Sequence, residues 1–312
     1  MIEQQIKQNM PLAPLTTFKI GGPAKYFIDV TAPEDLVEAV AWAKQNNEKY
    51  FILGGGSNLL VSDKGYNGLI IKNSCTLLEW RETEAKVESG VIFARLVMEA
   101  AEKGLAGLEW AAGIPGTVGG AIRGNSGAHG SSIQHNITSV SVLDPESNIV
   151  KDYTPDECKF AYRHSIFKEK KLLVLGAIIK LQNGKTEDIK QTMTGYLAKR
   201  AEIHPKDPNA GSVFKNFNLE QLKEANPALA VNAEKEGAVR GGRISSGWII
   251  SSLGLKGKKI GGAIISYEHG NFIVNTGGAT AEDVLVLMSL VKQKVRVELK
   301  LQLENEIEYL DF

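Results

Sequence analysis

The run from Tyr50 to Leu60 reads Tyr-Phe-Ile-Leu-Gly-Gly-Gly-Ser-Asn-Leu-Leu. A strand-like apolar run enters three consecutive glycines, passes Ser57 and Asn58, and leaves through a second apolar run, Leu59-Leu60-Val61. Successive glycines let neighbouring N–H groups converge on one point, a concavity suited to phosphate. A Rossmann loop or a P-loop would open a helix directly after it. Here the following run is again strand-like and ends at Asp63-Lys64-Gly65. The loop therefore reads as a phosphate cradle between two strands, with a simple turn as the plainer alternative.

At 312 residues the chain has room for two or three domains and a large core. Its 36 Lys and Arg equal its 36 Asp and Glu, so no net field gathers nucleic acid or an anionic membrane. Neither is expected as a partner. Cys75 and Cys158 form no motif and read as two reduced thiols. The five histidines are scattered, and no metal site is expected. No apolar run approaches the ~20 residues that span a bilayer. The opening Met1-Ile2-Glu3-Gln4-Gln5-Ile6 lacks the basic and apolar regions of a signal peptide. These features predict a soluble, cytoplasmic protein.

Local signals predict helices at Thr31-Ala32-Pro33-Glu34, a capping-box pattern, and at Val91 to Glu102 with Gly104 as C-terminal cap. Two more open at Thr186-Glu187-Asp188, running toward Arg200, and at Thr280-Ala281-Glu282-Asp283. The last would carry Val284, Leu287, Met288, Val291 and Val295 on one face. Strands are predicted at 50–53, 69–72, 138–143, 172–181, 263–266 and 272–275. No regular βαβ cadence appears, which predicts an α+β chain. The Pro-rich joint His204-Pro205-Lys206-Asp207-Pro208-Asn209 reads as a domain boundary.

A second glycine-rich stretch runs from Ala112 through Gly113, Ile114, Pro115, Gly116, Thr117, Val118, Gly119 and Gly120, and continues to Gly127, Ala128 and Gly130. So few side chains leave room for either another backbone or a flat ligand, and the residues alone do not choose. Tyr162-Arg163-His164 offers a guanidinium for a carboxylate, although a lone Arg among aromatics is commonly a stacking residue. Ser212 lies in Gly211-Ser212-Val213-Phe214-Lys215-Asn216 without a G-x-S-x-G elbow or an assignable Asp/His partner, which argues against a hydrolase triad. The tail Leu301 to Tyr309 alternates like a strand with carboxylates on one face.

Taken in order, these patches resemble the UDP-N-acetylenolpyruvoylglucosamine reductases of the MurB family. The resemblance runs through Thr17-Phe18-Lys19-Ile20-Gly21-Gly22-Pro23, Gly54-Gly55-Gly56-Ser57-Asn58, Gly113-Ile114-Pro115-Gly116-Thr117-Val118-Gly119-Gly120, Tyr162-Arg163-His164-Ser165, Gly211-Ser212-Val213-Phe214-Lys215-Asn216, His269-Gly270-Asn271-Phe272 and Glu306. It implies an FAD-binding fold of the vanillyl-alcohol-oxidase (PCMH) type plus a C-terminal MurB-type substrate domain. The implied divisions are an FAD-binding subdomain over 1–72, joined by a terminal strand over 300–312, a second over 73–198, and a substrate domain over 199–299.

The resemblance implies FAD as cofactor and NADPH as reductant. The implied partner is the enolpyruvyl ether of a UDP-sugar, and a monomer is expected. It places Gly54, Gly55, Gly56, Ser57, Asn58, Gly113, Ile114, Pro115, Gly116, Thr117, Gly119, Gly120, Gly127 and Ala128 at the cofactor. Tyr162, Lys215, Asn216, Trp248 and Lys256 fall at the substrate. Arg163 would neutralise the substrate carboxylate, Ser212 would give a proton to C2, and Glu306 would sit at the same carboxylate. Lys215 is a candidate to favour the Ser212 alkoxide. The sequence departs from the family pattern at Gly124-Asn125-Ser126-Gly127-Ala128-His129, at Phe217, at His204 and at Glu308, where an Arg is usual. Two other readings share the motifs: an FAD oxidase of the same fold, and a catalytically silent nucleotide-sugar-binding protein.

Overall fold

The two strands that flank the glycine loop part company. Tyr50–Leu53 pairs parallel with Tyr66–Asn73, Tyr50 opposite Leu69 and Leu53 opposite Lys72. Leu59–Val61 instead pairs parallel with Glu308–Leu310 near the end of the chain. This is the arrangement in the computed structural model, which describes residues 2–312. Met1, where the reading of the opening residues begins, lies outside them. Strands and helices follow one another without a repeating βαβ order, and the fold is α+β.

The chain divides into two compact units. The first takes the chain up to Met10, then Ala24–Gly55 and Asn67–Arg200. The second takes Pro11–Pro23, Gly56–Tyr66 and Ala201–Phe312. The boundary thus falls inside the glycine loop and again inside the long helix Thr186–Ile203.

In the first unit the order across one sheet is Lys7–Pro11, Pro23–Val30, Tyr66–Asn73, Tyr50–Leu53. Helix Pro33–Gln45 buries Leu36, Ala39, Val40 and Ala43 in a cluster with Ile28, Val30, Leu69 and Ile71. It begins one residue later than a Thr31 cap would put it. Ala32 is the N-cap and makes no side-chain bond, so the predicted capping box is absent; the fixed φ of Pro33 at the first position starts the helix instead. A second sheet runs Ile149–Tyr153, Ile137–Asp144, Leu173–Lys180, Glu84–Glu88, Leu78–Arg81, all antiparallel. Helix Phe93–Glu102 packs into this sheet's core through Phe93, Leu96, Val97 and Ala100. Gly104, at φ +68°, donates its N–H to Ala101 O and closes that helix as predicted.

The second unit is built on helix Ala281–Leu299, whose Val284, Leu287, Met288, Val291 and Val295 are all buried. They share one core with Phe18, Leu60, Val213, Phe214, Ile249 and Ile273. Its N-terminus is held twice. Thr280 and Asp283 form a capping box. From the loop after Leu59–Val61, Asp63 accepts the N–H groups of Ala281 at 2.9 Å and Glu282 at 3.2 Å. The tail corrects the sequence reading. Leu301, Leu303 and Ile307 are buried between exposed or half-buried neighbours, but only Glu308–Leu310 is a strand. Before it the chain makes a single bridge, Asn305 to Phe214. Alternating burial needs only an extended chain over a core, and a ladder needs a partner strand as well.

Removing Asp63's two bonds by Asp63→Ala is expected to cost about 1–2 kcal/mol, readable as a lower denaturant midpoint at unchanged slope. Asp283 is held below the usual carboxylate range, first by Thr280 N–H and then by Gly262 N–H. A depressed folded pKa contributes stability above the unfolded Asp value, and that stability is lost as pH falls through the folded value. Asp283→Asn should therefore flatten the acid limb of the stability profile, measured by urea titration from pH 7 downward.

Candidate active site

The first unit brings the two glycine-rich stretches together. A Cβ placed on Gly55 would lie 2.6 Å from Gly116 Cα, and one on Gly54 would lie 2.7 Å from Thr117 Oγ1. Gly119 approaches Ser89 as closely, and its N–H donates to Ser89 O at 2.8 Å. Gly127–Ala128 pairs with Ser131–Ser132. Of the two occupants the sequence leaves open for the second stretch, another part of the chain takes the space at Gly119, beside Ser89, and at Gly127, beside Ser131 O. Gly120 is exposed, with Thr117 Oγ1 at 3.6 Å the nearest atom a Cβ would meet. Lys72 donates to Gly54 O. Burial lowers the pKa of this ammonium, and Asp29 opposes that shift. Lys72 was not picked out in the sequence. The signal was its place at the end of the strand paired with the one entering the loop.

Arg163 stands in a tight turn closed by reciprocal hydrogen bonds between Ala161 and His164, both 3.1 Å. Its φ is +55°, in the left-handed region, and its guanidinium lies 5.2 Å from the Tyr162 ring centroid. Buried Asn125 ties this turn to the second glycine stretch, donating from Nδ2 to Ala161 O at 2.9 Å and to Gln134 Oε1 at 3.0 Å. Arg200 is near enough to Arg163 for their charges to interact. Burial first, and Arg163 second, lower its pKa. A Cβ on Gly113 would lie 3.0 Å from the Arg200 stem and from Leu197; Gly113 and Pro115 are exposed and Ile114 is half-buried. His129, one of the departures, stacks on Tyr196 with centroids 3.9 Å apart.

The second unit holds the other half of the predicted set. Val213 O accepts Glu306 N–H at 2.8 Å, and Lys215 N–H donates to Glu304 O at 2.9 Å. The Ser212 and Glu306 segments therefore lie side by side, and both residues are half-buried. Asn58 joins them, donating from Nδ2 to Glu306 O at 3.1 Å and accepting Glu308 N–H at 3.0 Å. The Lys215 ammonium pairs with Glu304 at 3.1 Å. Asn216 Oδ1 accepts Ser246 N–H at 3.2 Å, at the start of the helix that carries Trp248. Trp248 Nε1 donates to Glu236 at 2.7 Å, and exposed Lys256 donates to Glu268 O at 3.3 Å. Burial pushes the Cys75 and Cys158 thiols up to about 12, so neither supplies a thiolate near neutral pH.

Two family models match, an FAD binding domain over residues 24–152 and the C-terminal domain of UDP-N-acetylenolpyruvoylglucosamine reductase over residues 204–310. A UDP-N-acetylenolpyruvoylglucosamine reductase of Protochlamydia amoebophila is 36% identical over 313 residues, covering 100% of this chain and 96% of its own. The chain belongs to the UDP-N-acetylenolpyruvoylglucosamine reductase family. Reductase 1 of Bacillus cereus is 38% identical over 306 residues, covering 97% of this chain and 93% of its own. The crystal structure of the Thermus caldophilus reductase superposes with a TM-score of 0.77 at 33% identity, covering 98% of both chains.

The residues present fit the FAD that the matched domain implies. The N–H groups of Gly55, Gly56 and Ser57 donate no hydrogen bond among the described residues. Free N–H donors on consecutive glycines suit a pyrophosphate. No helix among the described residues is long and apolar enough to cross a membrane. A Cβ at position 55 would force the two glycine stretches apart, so Gly55→Ala should purify without flavin absorbance. Gly195→Ala, where a Cβ meets nothing within 4 Å, should stay yellow.

Proposed function

We propose that this chain reduces the enolpyruvyl ether of UDP-N-acetylglucosamine to UDP-N-acetylmuramate, with NADPH as reductant and FAD as carrier, in peptidoglycan precursor synthesis. Membership of the reductase family gives the reaction. The hydrogen bond from Glu306 N–H to Val213 O supports the residue assignment, because it sets the predicted proton donor beside the predicted carboxylate partner.

Held by the Gly54 loop and the Gly113–Gly120 stretch, FAD would supply hydride chemistry, coupling oxidation of NADPH to reduction at C3 of the enolpyruvyl group. That transfer builds negative charge at C2, next to the substrate carboxylate. Arg163 neutralises the carboxylate, and a fixed cation stabilises charge that develops beside it. Ser212 delivers its hydroxyl proton to C2. A serine is a weak acid at neutral pH, but a carbanion-like carbon is a strong base, which relaxes the demand. Glu306 orients the carboxylate end. Lys215, which pairs with Glu304, serves the UDP-sugar together with Tyr162, Asn216, Trp248 and Lys256. On this reading 1–72 with 300–312, and 73–198, serve the cofactor, and 199–299 serves the substrate. The enzyme works as a cytoplasmic monomer, without nucleic acid or membrane. Sedimentation of the purified protein checks the oligomeric state.

Anaerobic half-reactions test the assignment. Ser212→Ala should be reduced by NADPH at the wild-type rate and reoxidised by the enolpyruvyl substrate roughly 100- to 10,000-fold more slowly. Normal reoxidation of that variant would remove Ser212 as donor. Turnover with oxygen alone would favour an oxidase.

A further inference from the structure

Ser212 sits on a stretch without regular secondary structure, so its aim depends on whatever holds the backbone around it. Before it, Gly211 N–H is held by Asn209 Oδ1 at 2.9 Å. After it, one residue does most of the holding. Asn271 O accepts Val213 N–H at 2.8 Å, Asn271 Oδ1 accepts Phe214 N–H at 2.9 Å, and Asn271 Nδ2 donates to Phe214 O at 2.7 Å. Asn271 is 2% exposed and Phe214 1%, so water does not replace these bonds. The side-chain amide behaves as a spare peptide unit, presenting an acceptor and a donor to one residue as a neighbouring strand would. The Ser212 hydroxyl itself makes no hydrogen bond among the described residues.

Asn271 is fixed in turn. His269 Nδ1 accepts its N–H at 3.1 Å, which places the imidazole proton on Nε2. The ring is wedged against Gly247, where a Cβ would lie 2.5 Å from His269 Cε1. Burial, and then Lys256, hold the His269 pKa down at about 4, so the acceptor persists at neutral pH. We propose that Asn271 is a positioning residue that aims Ser212 for proton transfer, through its paired bonds to Phe214 and with His269 as its brace. This rests on the reading of Ser212 as proton donor. It adds a residue that touches none of the reacting atoms.

The test separates aim from fold and from the donor reading itself. Asn271→Leu keeps the volume and removes both side-chain bonds. It should bind FAD and be reduced by NADPH as wild type, yet reoxidise with the enolpyruvyl substrate about 10- to 100-fold more slowly, with a larger D₂O solvent isotope effect on that step. Added to Ser212→Ala it should slow reoxidation no further, because residues acting as one unit are not additive. If Asn271→Leu does not fold, Asn271→Asp, which keeps shape and acceptor but loses the donor, should show the same split. Reoxidation within twofold of wild type, parallel loss of both half-reactions, or additive slowing in the double variant would overturn the proposal. Normal reoxidation of Ser212→Ala alone would instead overturn the donor reading.

Discussion

Backbone contact at Gly55 and Gly116 is the constraint on which the cofactor half of the molecule depends. Two loops come together at a distance no Cβ tolerates. Contact that close needs walls that do not move. Here Gly116 and Gly119 are threaded antiparallel along Ser89 to Phe93, with Phe93 N–H on Gly116 O at 3.0 Å and Val118 N–H on Val91 O at 2.9 Å. Lys72 holds the opposite loop by its Gly54 carbonyl. The glycines are therefore fixed by neighbours on both sides. A loop fixed in this way can present N–H groups to a phosphate without losing much conformational entropy on binding.

The same logic, with different chemistry, governs the second unit. Ser212 lies outside any strand. Its segment is bonded both to the tail, through Glu306 and Glu304, and to Asn271. Asn275 extends the arrangement, donating to Phe18 O at 3.2 Å while its Oδ1 receives the N–H groups of Gly277 at 2.9 Å and Ala279 at 3.1 Å. In the first unit Asn125 does the equivalent for the Arg163 turn. Short, rigid amides thus stand in for secondary structure wherever a proposed catalytic residue sits.

This explains what was legible in the sequence. Periodic burial and local caps are short-range signals, so the strands at 50–53 and 138–143, the helix after Thr280 and the Gly104 cap could be read directly. The Thr31 cap was misread because Pro33 at the first helical position sets the start whatever precedes it. The tail was misread because alternation records burial, not pairing. The glycine stretches announced close approach, but only the partner's position reveals that Gly116 is what Gly55 approaches. The amide clamps were invisible for the same reason. Asn271 and Phe214 are 57 residues apart, and nothing local to Asn271 marks it off from any other polar residue.

The departures from the family pattern fit this division of labour. His129 is an exposed residue, and its ring finds a partner in Tyr196 of the long helix. His204 lies 4.9 Å from Phe272, in the aromatic group that includes His269. Phe217 packs against the main core of the second unit and pairs with Ile244. Glu308 differs in kind, because it changes the sign of a charge two residues from Glu306. Its backbone carries a structural duty there, donating to Asn58 O and pairing with Leu59. Those main-chain bonds do not depend on the charge of the side chain, so they hold the chain beside the Ser212–Glu306 frame whichever residue stands at 308.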